Sequence, residues 1–351
     1  MGRKQPMPTA DSVKAKIRAA AAHSREALRD LDLATIEQLQ ALYAAASEEI
    51  RHDLLRYADA KGNVKAEVLD LLLAQINDKL KHLSAQRTAL LNNGLESAAA
   101  LGAGVFSSSV ITGVGVQVDI TRLADDAVAF VRGFIAADGL QLSDRLWLLD
   151  VHAREAVGQA IQQAVILGTD ASLAADDFLR RGVPIPPDIA AALGLNQAER
   201  IALEVSGALL SKQGNPYANA LRVFRTELNR AHGSAYLAGL RGNPDVAGVR
   251  FMLSPRHPRP DICDLHASAN LHGLGKGVYP LDNHPWPAHP NTFSYLEAVF
   301  WDEVTPEDRA AAQSKADWLR QQPIDVQVGV LGSRARFEDF QAGRLNSEVV
   351  L

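Results

Sequence analysis

The chain carries a single cysteine, Cys263, in 351 residues. No intrachain disulfide can form, so a cross-linked secreted scaffold is excluded and a reducing compartment such as a cytoplasm fits. Excess positive charge is also missing: the formal net charge is −5. No global field draws the molecule onto nucleic acid, and any DNA contact would be local. The start, Met1-Gly2-Arg3-Lys4, runs into prolines and polar residues without the apolar stretch of a secretory signal, so no export is expected. No His-Glu-x-x-His helix, phosphate-binding loop or nucleophile elbow occurs, and there is no internal repeat. Gly273, Gly275 and Gly277 are not of the dinucleotide-binding type, because no strand is expected before them and no helix after them.

Charge is absent from one long stretch, Ser97 to Val118, which at 22 residues could cross a bilayer. Its four glycines, the run Ser107-Ser108-Ser109, Thr112 and Gln117 make it too polar for a spanning helix. It reads as a buried or flexible connector over 97–119, and no membrane contact is expected of it.

What is present describes a folded, water-soluble chain, with 47% hydrophobic and 22% charged residues and enough length for two domains. Leu28, Leu31, Thr35, Leu39, Leu42, Ala46, Ile50 and Leu54 recur at spacings of three and four and predict a long amphipathic helix, with a break at Thr35 if Thr35 and Gln38 form a capping box. Lys61-Gly62-Asn63 interrupts the pattern. Val64, Val68, Leu72, Ile76, Leu80 and Leu83 resume it up to a stop at Asn92-Asn93-Gly94, giving an antiparallel helical hairpin over 1–96. Residues 120–213 read as further helices, with Asn196 and Glu199 spaced as a capping box and Pro184 to Pro187 forcing an extended link.

From 214 to 351 a small α+β domain, able to fold alone, is expected. It opens on a helix from Pro216 to about Leu240, buried through Leu221, Phe224, Leu228, Ala231 and Ala235. Short strands follow at Val249–Leu253 and within Phe293–Trp301. A helix begins at the Thr305-Pro306-Glu307-Asp308 start, and Ile324–Val330 reads as a strand. The fold class is therefore a mainly α N-terminal region followed by a small α+β domain with a long Pro/His-rich loop.

That loop, 255–290, concentrates seven of the sixteen prolines, five of the ten histidines and the one cysteine. Cys263-x-x-His266, with His284 and His289 further on, has donors suited to a structural zinc ion. Asp261 or Asp264 could act as a base if such an ion were hydrolytic. The alternative is that the histidines cap turns or pack on Tyr279 and Trp286. On the helix before the loop, Arg222, Arg225, Glu227, Arg230 and His232 form either a solvated face, with Glu227 pairing Arg230, or a buried Arg225–Glu227 contact holding helix to loop.

Three separated segments in order carry a resemblance. Arg225-Thr226-Glu227-Leu228-Asn229-Arg230-Ala231, then Arg259-Pro260-Asp261-Ile262-Cys263-Asp264, then Pro285-Trp286-Pro287-Ala288-His289-Pro290-Asn291 resemble the tailed-bacteriophage head-morphogenesis, phage Mu F-like, minor head proteins. The stretch Trp318 to Pro323, with Gln327 and Leu331 to Arg334, resembles the end of the same domain, so the match spans roughly 210–345. Arg225, Glu227, Asp261, Trp286 and Pro290 are its structural motif residues. The pattern departs where the family places two cysteines after His-Pro-Asn, since Thr292 and Ser294 stand there. Either packing around Tyr279, Trp286 and Phe293 orders the loop and no cofactor is needed, which is the expectation adopted, or Cys263, His266, His284 and His289 rebuild a zinc site.

The resemblance implies a structural minor head protein acting in head morphogenesis at or near the portal, and not an enzyme. It implies the portal and major capsid proteins as partners, oligomerisation through the portal ring, and a place in the virion after assembly in the host cytoplasm. Two alternatives stand beside it: a metal-dependent virion hydrolase acting on nucleic acid or cell wall, and a protein ejected with the genome that touches the host membrane through Ser97–Val118.

Overall fold

A computed structural model describes residues 10–60, 62, 64, 66–107, 118–136, 138–180, 196–210, 215–255, 257, 259–287, 289 and 293–345. Among these there are eleven α-helices and one three-stranded antiparallel sheet, a mainly α chain followed by a small α+β part. The expected extended link at Pro184–Pro187, most of the uncharged stretch after Ser107, and the motif residue Pro290 lie outside the described residues.

The helices before the sheet are α1 (Ala10–Tyr57), α2 (Ala66–Gly104), α3 (Ile120–Gly133), α4 (Leu142–Arg180), α5 (Gln197–Leu210) and α6 (Pro216–Arg241). The sheet contains β1 (Val246–Met252), β2 (Val278–Tyr279) and β3 (Tyr295–Phe300) in the order β2-β1-β3, with α7 (Ile262–Ser268) between β1 and β2. The chain ends in α8 (Pro306–Ala310), α9 (Lys315–Arg320), α10 (Ile324–Leu331) and α11 (Arg334–Gln341). Among the described residues no helix is long and apolar enough to cross a membrane.

The chain divides into two compact units. One comprises Met1–Leu31, Leu95–Val131 and Arg225–Leu351, the other Asp32–Gly94 and Arg132–Phe224. In the second unit, Leu39, Tyr43, Ile50, Leu54, Leu72 and Ile76 are almost wholly buried, the apolar stripe of the expected hairpin. No break occurs at Thr35: α1 runs through it, and Thr35 is buried. Gly62 turns the chain at φ 78°, and its carbonyl accepts from Ala198 N at the start of α5. Asn196 and Glu199 form the expected capping box, each side chain accepting from the other's backbone N–H at 2.9 and 3.0 Å. Arg87, 1% exposed, crosses from α2 to Asp150 of α4 at 2.9 Å.

The first unit holds the sheet. One face packs Val249, Phe251, Leu296, Ala298 and Phe300 against Val13, Ile17 and Ala21 of α1, Phe106 after α2, and Tyr236, Leu237 and Leu240 of α6. The other face buries Ala247, Val278, Val299 and Val304. Lys14, Arg18 and Arg25 share one side of α1, the i, i+4 and i+11 spacing of a helix. Lys14 pairs with Asp302, Arg18 with Glu303 at 2.7 Å, and Arg25 stacks over the Tyr295 ring at 4.4 Å. The chain's first described helix is thereby clamped to β3 and to the short turn Trp301–Glu303 that follows it. α7 is held from a second side, where Leu265 and Ala269 pack with Trp318, Leu319, Val330, Leu331, Phe337 and Phe340.

Further readings from the sequence differ from the structure. Asn92-Asn93-Gly94 does not stop α2, because Leu91, Leu95, Ala98 and Ala99 are buried on either side of it and outweigh a propensity cost of about 1 kcal/mol for the glycine. The uncharged stretch is accordingly helical through Gly104, with Ala98, Ala99 and Ala103 buried. Ile324–Val330 is helix, not strand.

Candidate functional site

α6 is buried over most of its circumference from Phe224 onward, so its polar residues are not a solvated face. Thr226, Glu227, Asn229, Arg230 and His232 are all buried. Glu227 pairs with Arg230 in the interior, the i, i+3 partnership allowed by the sequence. Arg225 instead lies over the ring of Phe293, with 5.5 Å from guanidinium to centroid. A buried pair of this kind is costly to break from one side, since the partner left behind is a desolvated charge.

Further along the same helix, His232 joins three helices. Ser24 of α1 donates its only hydroxyl proton to the carbonyl of Leu101 in α2 at 2.7 Å. Its oxygen therefore accepts from His232 Nε2–H, 2.8 Å away, which fixes the imidazole as the neutral Nε2–H tautomer. Burial, with the nearby Arg25 charge, pushes the pKa of His232 down to about 4. The three helices approach closely here: a Cβ on Gly102 would lie 2.1 Å from the His232 carbonyl oxygen.

The Trp286 ring closes the loop onto α6. It is 5% exposed and sits over Gly233, where a Cβ would come within 2.0 Å of the ring. Its Nε1–H donates to the carbonyl of Ser294 at 3.1 Å, and Asn229 of the Arg-Thr-Glu helix donates to the same carbonyl at 3.3 Å. One backbone oxygen thus ties the first and third motif segments together.

The second segment forms the start of α7. Asp261 caps it, Oδ1 accepting from Cys263 N at 2.7 Å, while Asp264 Oδ2 accepts from Asp261 N at 2.8 Å. His257 Nε2 lies 2.9 Å from that Asp264 oxygen and 3.8 Å from Asp261 Oδ1. The other Asp261 oxygen, Oδ2, is 3.4 Å from His289 Nε2. Donor atoms of Asp261, Cys263 and His289 all fall within 4.8 Å of one another, and so do those of His257, Asp261 and Asp264.

Of the four ligands offered by the sequence, Cys263 and His289 are brought together. His266 and His284 join neither group. His266 is a core residue: its ring is 5.5 Å from Phe251 and 6.2 Å from Tyr279, whose hydroxyl reaches its Nδ1 at 3.4 Å. Burial, reinforced by the Lys315 charge, drives its pKa down to about 4. Burial also raises the Tyr279 hydroxyl and lowers His284. Asp261, one of the loop's potential donors in the sequence and also read there as a motif member and a base, was left out of that four-residue set. Its signal was the Asp-x-Cys spacing, which places carboxylate and thiol on one capped turn.

A zinc ion therefore fits a set of residues different from the expected one: Asp261, Cys263 and His289 would hold it, and it would supply a cross-link between α7 and the loop. No protein-family model matches the chain, and neither a curated protein nor a solved structure does.

Proposed function

We propose that the chain is a structural minor head protein of a tailed phage, acting in head morphogenesis at or near the portal. The observation that carries this reading is the convergence of the three motif segments. They are separated by tens of residues, yet Asn229 and Trp286 meet at the Ser294 carbonyl and Asp261 and Cys263 meet His289. Chance resemblances in three unrelated surface stretches would have no reason to meet in one compact unit. In this reading the protein works through portal and major capsid partners, is assembled in the host cytoplasm and ends in the virion. Its contacts are those of helices and apolar seams, as helix-in-groove recognition requires.

Co-expression with the cognate portal protein tests it. A complex is expected, and because the chain carries little net charge it should survive about half-molar salt, where screening reaches only a few ångströms. Absence of a complex, or its dissociation at moderate salt in favour of DNA, would overturn the reading. Density for the chain next to the portal in a prohead reconstruction would be the direct positive result.

A further inference from the structure

We propose that this chain binds one zinc-class divalent ion through Asp261 Oδ2, Cys263 Sγ and His289 Nε2, a mixed oxygen, sulfur and nitrogen set in which a carboxylate serves where soft thiolates are lacking. The inference does not depend on the head-assembly reading. It begins with spacing. A tetrahedral ion with bonds of about 2.0–2.2 Å has ligand-to-ligand edges of roughly 3.3–3.6 Å. His289 Nε2 and Asp261 Oδ2 stand 3.4 Å apart, and Cys263 completes the triangle within 4.8 Å.

Preorganisation is the second argument. The Cys263 backbone N–H holds Asp261 Oδ1, which turns Oδ2 toward His289, while Asp264 accepts from Asp261 N and fixes the turn itself. His257 lies against both carboxylates, placing a hydrogen-bonding group behind the ligands, as metal sites require of their surroundings. The donors come from two stretches 26 residues apart, so the ion would tie α7 to the loop in a chain without disulfides.

Charge and softness then select the ion. A thiolate, a carboxylate and a neutral imidazole together balance a 2+ charge, which suits a partly buried position. Thiolate and imidazole exclude magnesium and calcium, which take oxygen ligands, and favour zinc or cobalt. The sulfur is fully buried, while the Asp261 and His289 side chains are 32% and 37% exposed.

The test uses the full-length chain stripped of metal and titrated with Co²⁺, followed by Zn²⁺. One equivalent of cobalt should bind with a thiolate-to-cobalt charge-transfer band, be displaced by zinc, and raise the melting temperature. Asp261→Asn keeps an N-cap acceptor, since Asn caps as well as Asp. It should leave the metal-free melting temperature unchanged and weaken cobalt binding by at least about tenfold. Cys263→Ser should abolish the charge-transfer band, and His284→Gln should leave binding unaltered. No charge-transfer band at saturating cobalt, wild-type affinity in Asp261→Asn, or loss of binding in His284→Gln would each overturn the assignment, the last by favouring a set that includes His284.

Discussion

At the scale of single residues, the two core histidines set how the first unit responds to acid. His232 and His266 are each 7% exposed and neutral, with pKa values pushed down to about 4 by burial. Above about pH 6.5 an unfolded histidine is neutral as well, so neither residue penalises folding there. As the pH falls below that value the unfolded chain takes up protons that the fold refuses, and stability declines until the folded imidazoles themselves titrate near pH 4. Each residue accounts for a loss on the order of 3 kcal/mol across that window. Urea unfolding between pH 7.5 and 4.5 should show this decline, and His232→Gln, whose amide can still donate to Ser24, should flatten part of it. Stability that does not change between pH 6.5 and 4 would refute the assignment of both histidines as buried neutral groups. The neutrality of His266 was hidden in the sequence, where Cys263-x-x-His266 has metal-ligand spacing. What distinguishes the two roles is the aromatic company of Phe251 and Tyr279, supplied by the strands that precede and follow α7.

At the scale of elements, the contact between α6 and the loop rests on a glycine and a tryptophan fitted to each other. On an exposed helix Gly→Ala stabilises by roughly 1 kcal/mol. At Gly233 the sign reverses, because the added methyl would overlap the Trp286 ring, and overpacking of this kind costs about 1–3 kcal/mol. Trp286→Ala should cost about 3–5 kcal/mol. In the double variant the glycine substitution should lose most of its penalty, so the two effects should be far from additive in a thermal-melt cycle; additivity would place the residues apart. Capping signals were the part of the elements most legible in the sequence: Asn196 with Glu199 and Thr305 with Asp308 form the bonds their spacing predicts. Alternation misled at Val326, Val328 and Val330, which read as a strand. The segment forms a helix because Gln327, Val330 and Leu331 lie on one helical face against the interior and Gly332, at φ 79°, ends it. The sheet strands β1 and β3 were legible from their β-branched and aromatic runs. The seven-residue α7 inside the loop was not, since the proline and histidine content around it masked its capped start.

At the scale of the whole molecule, a division into successive segments was the natural reading of the sequence, and the contacts regroup those segments. The stretch 214–351 was expected to fold alone, yet its sheet shares one apolar cluster with Val13, Ile17 and Ala21 of α1 and with Val105 and Phe106 after α2. Nothing local in the sequence announces such long-range partners; only the matching spacing of Lys14, Arg18 and Arg25 hints at a surface that needs acidic and aromatic neighbours. Deleting residues 1–31 should therefore expose Leu296 and Phe300 and remove the cooperative melting of the sheet, read by near-ultraviolet circular dichroism. A fragment 214–351 that melts cooperatively by itself would contradict the grouping. The clamp of Arg18 on Ala298 and Glu303, 280 and 285 positions later, also orders events in time. At roughly 5–20 residues per second of translation, the partners of α1 emerge about 15–60 s after it. Throughout that interval its stripe of Val13, Ile17 and Ala21 has no sheet to cover it, so a ribosome-bound nascent chain is the form of this protein most in need of a chaperone.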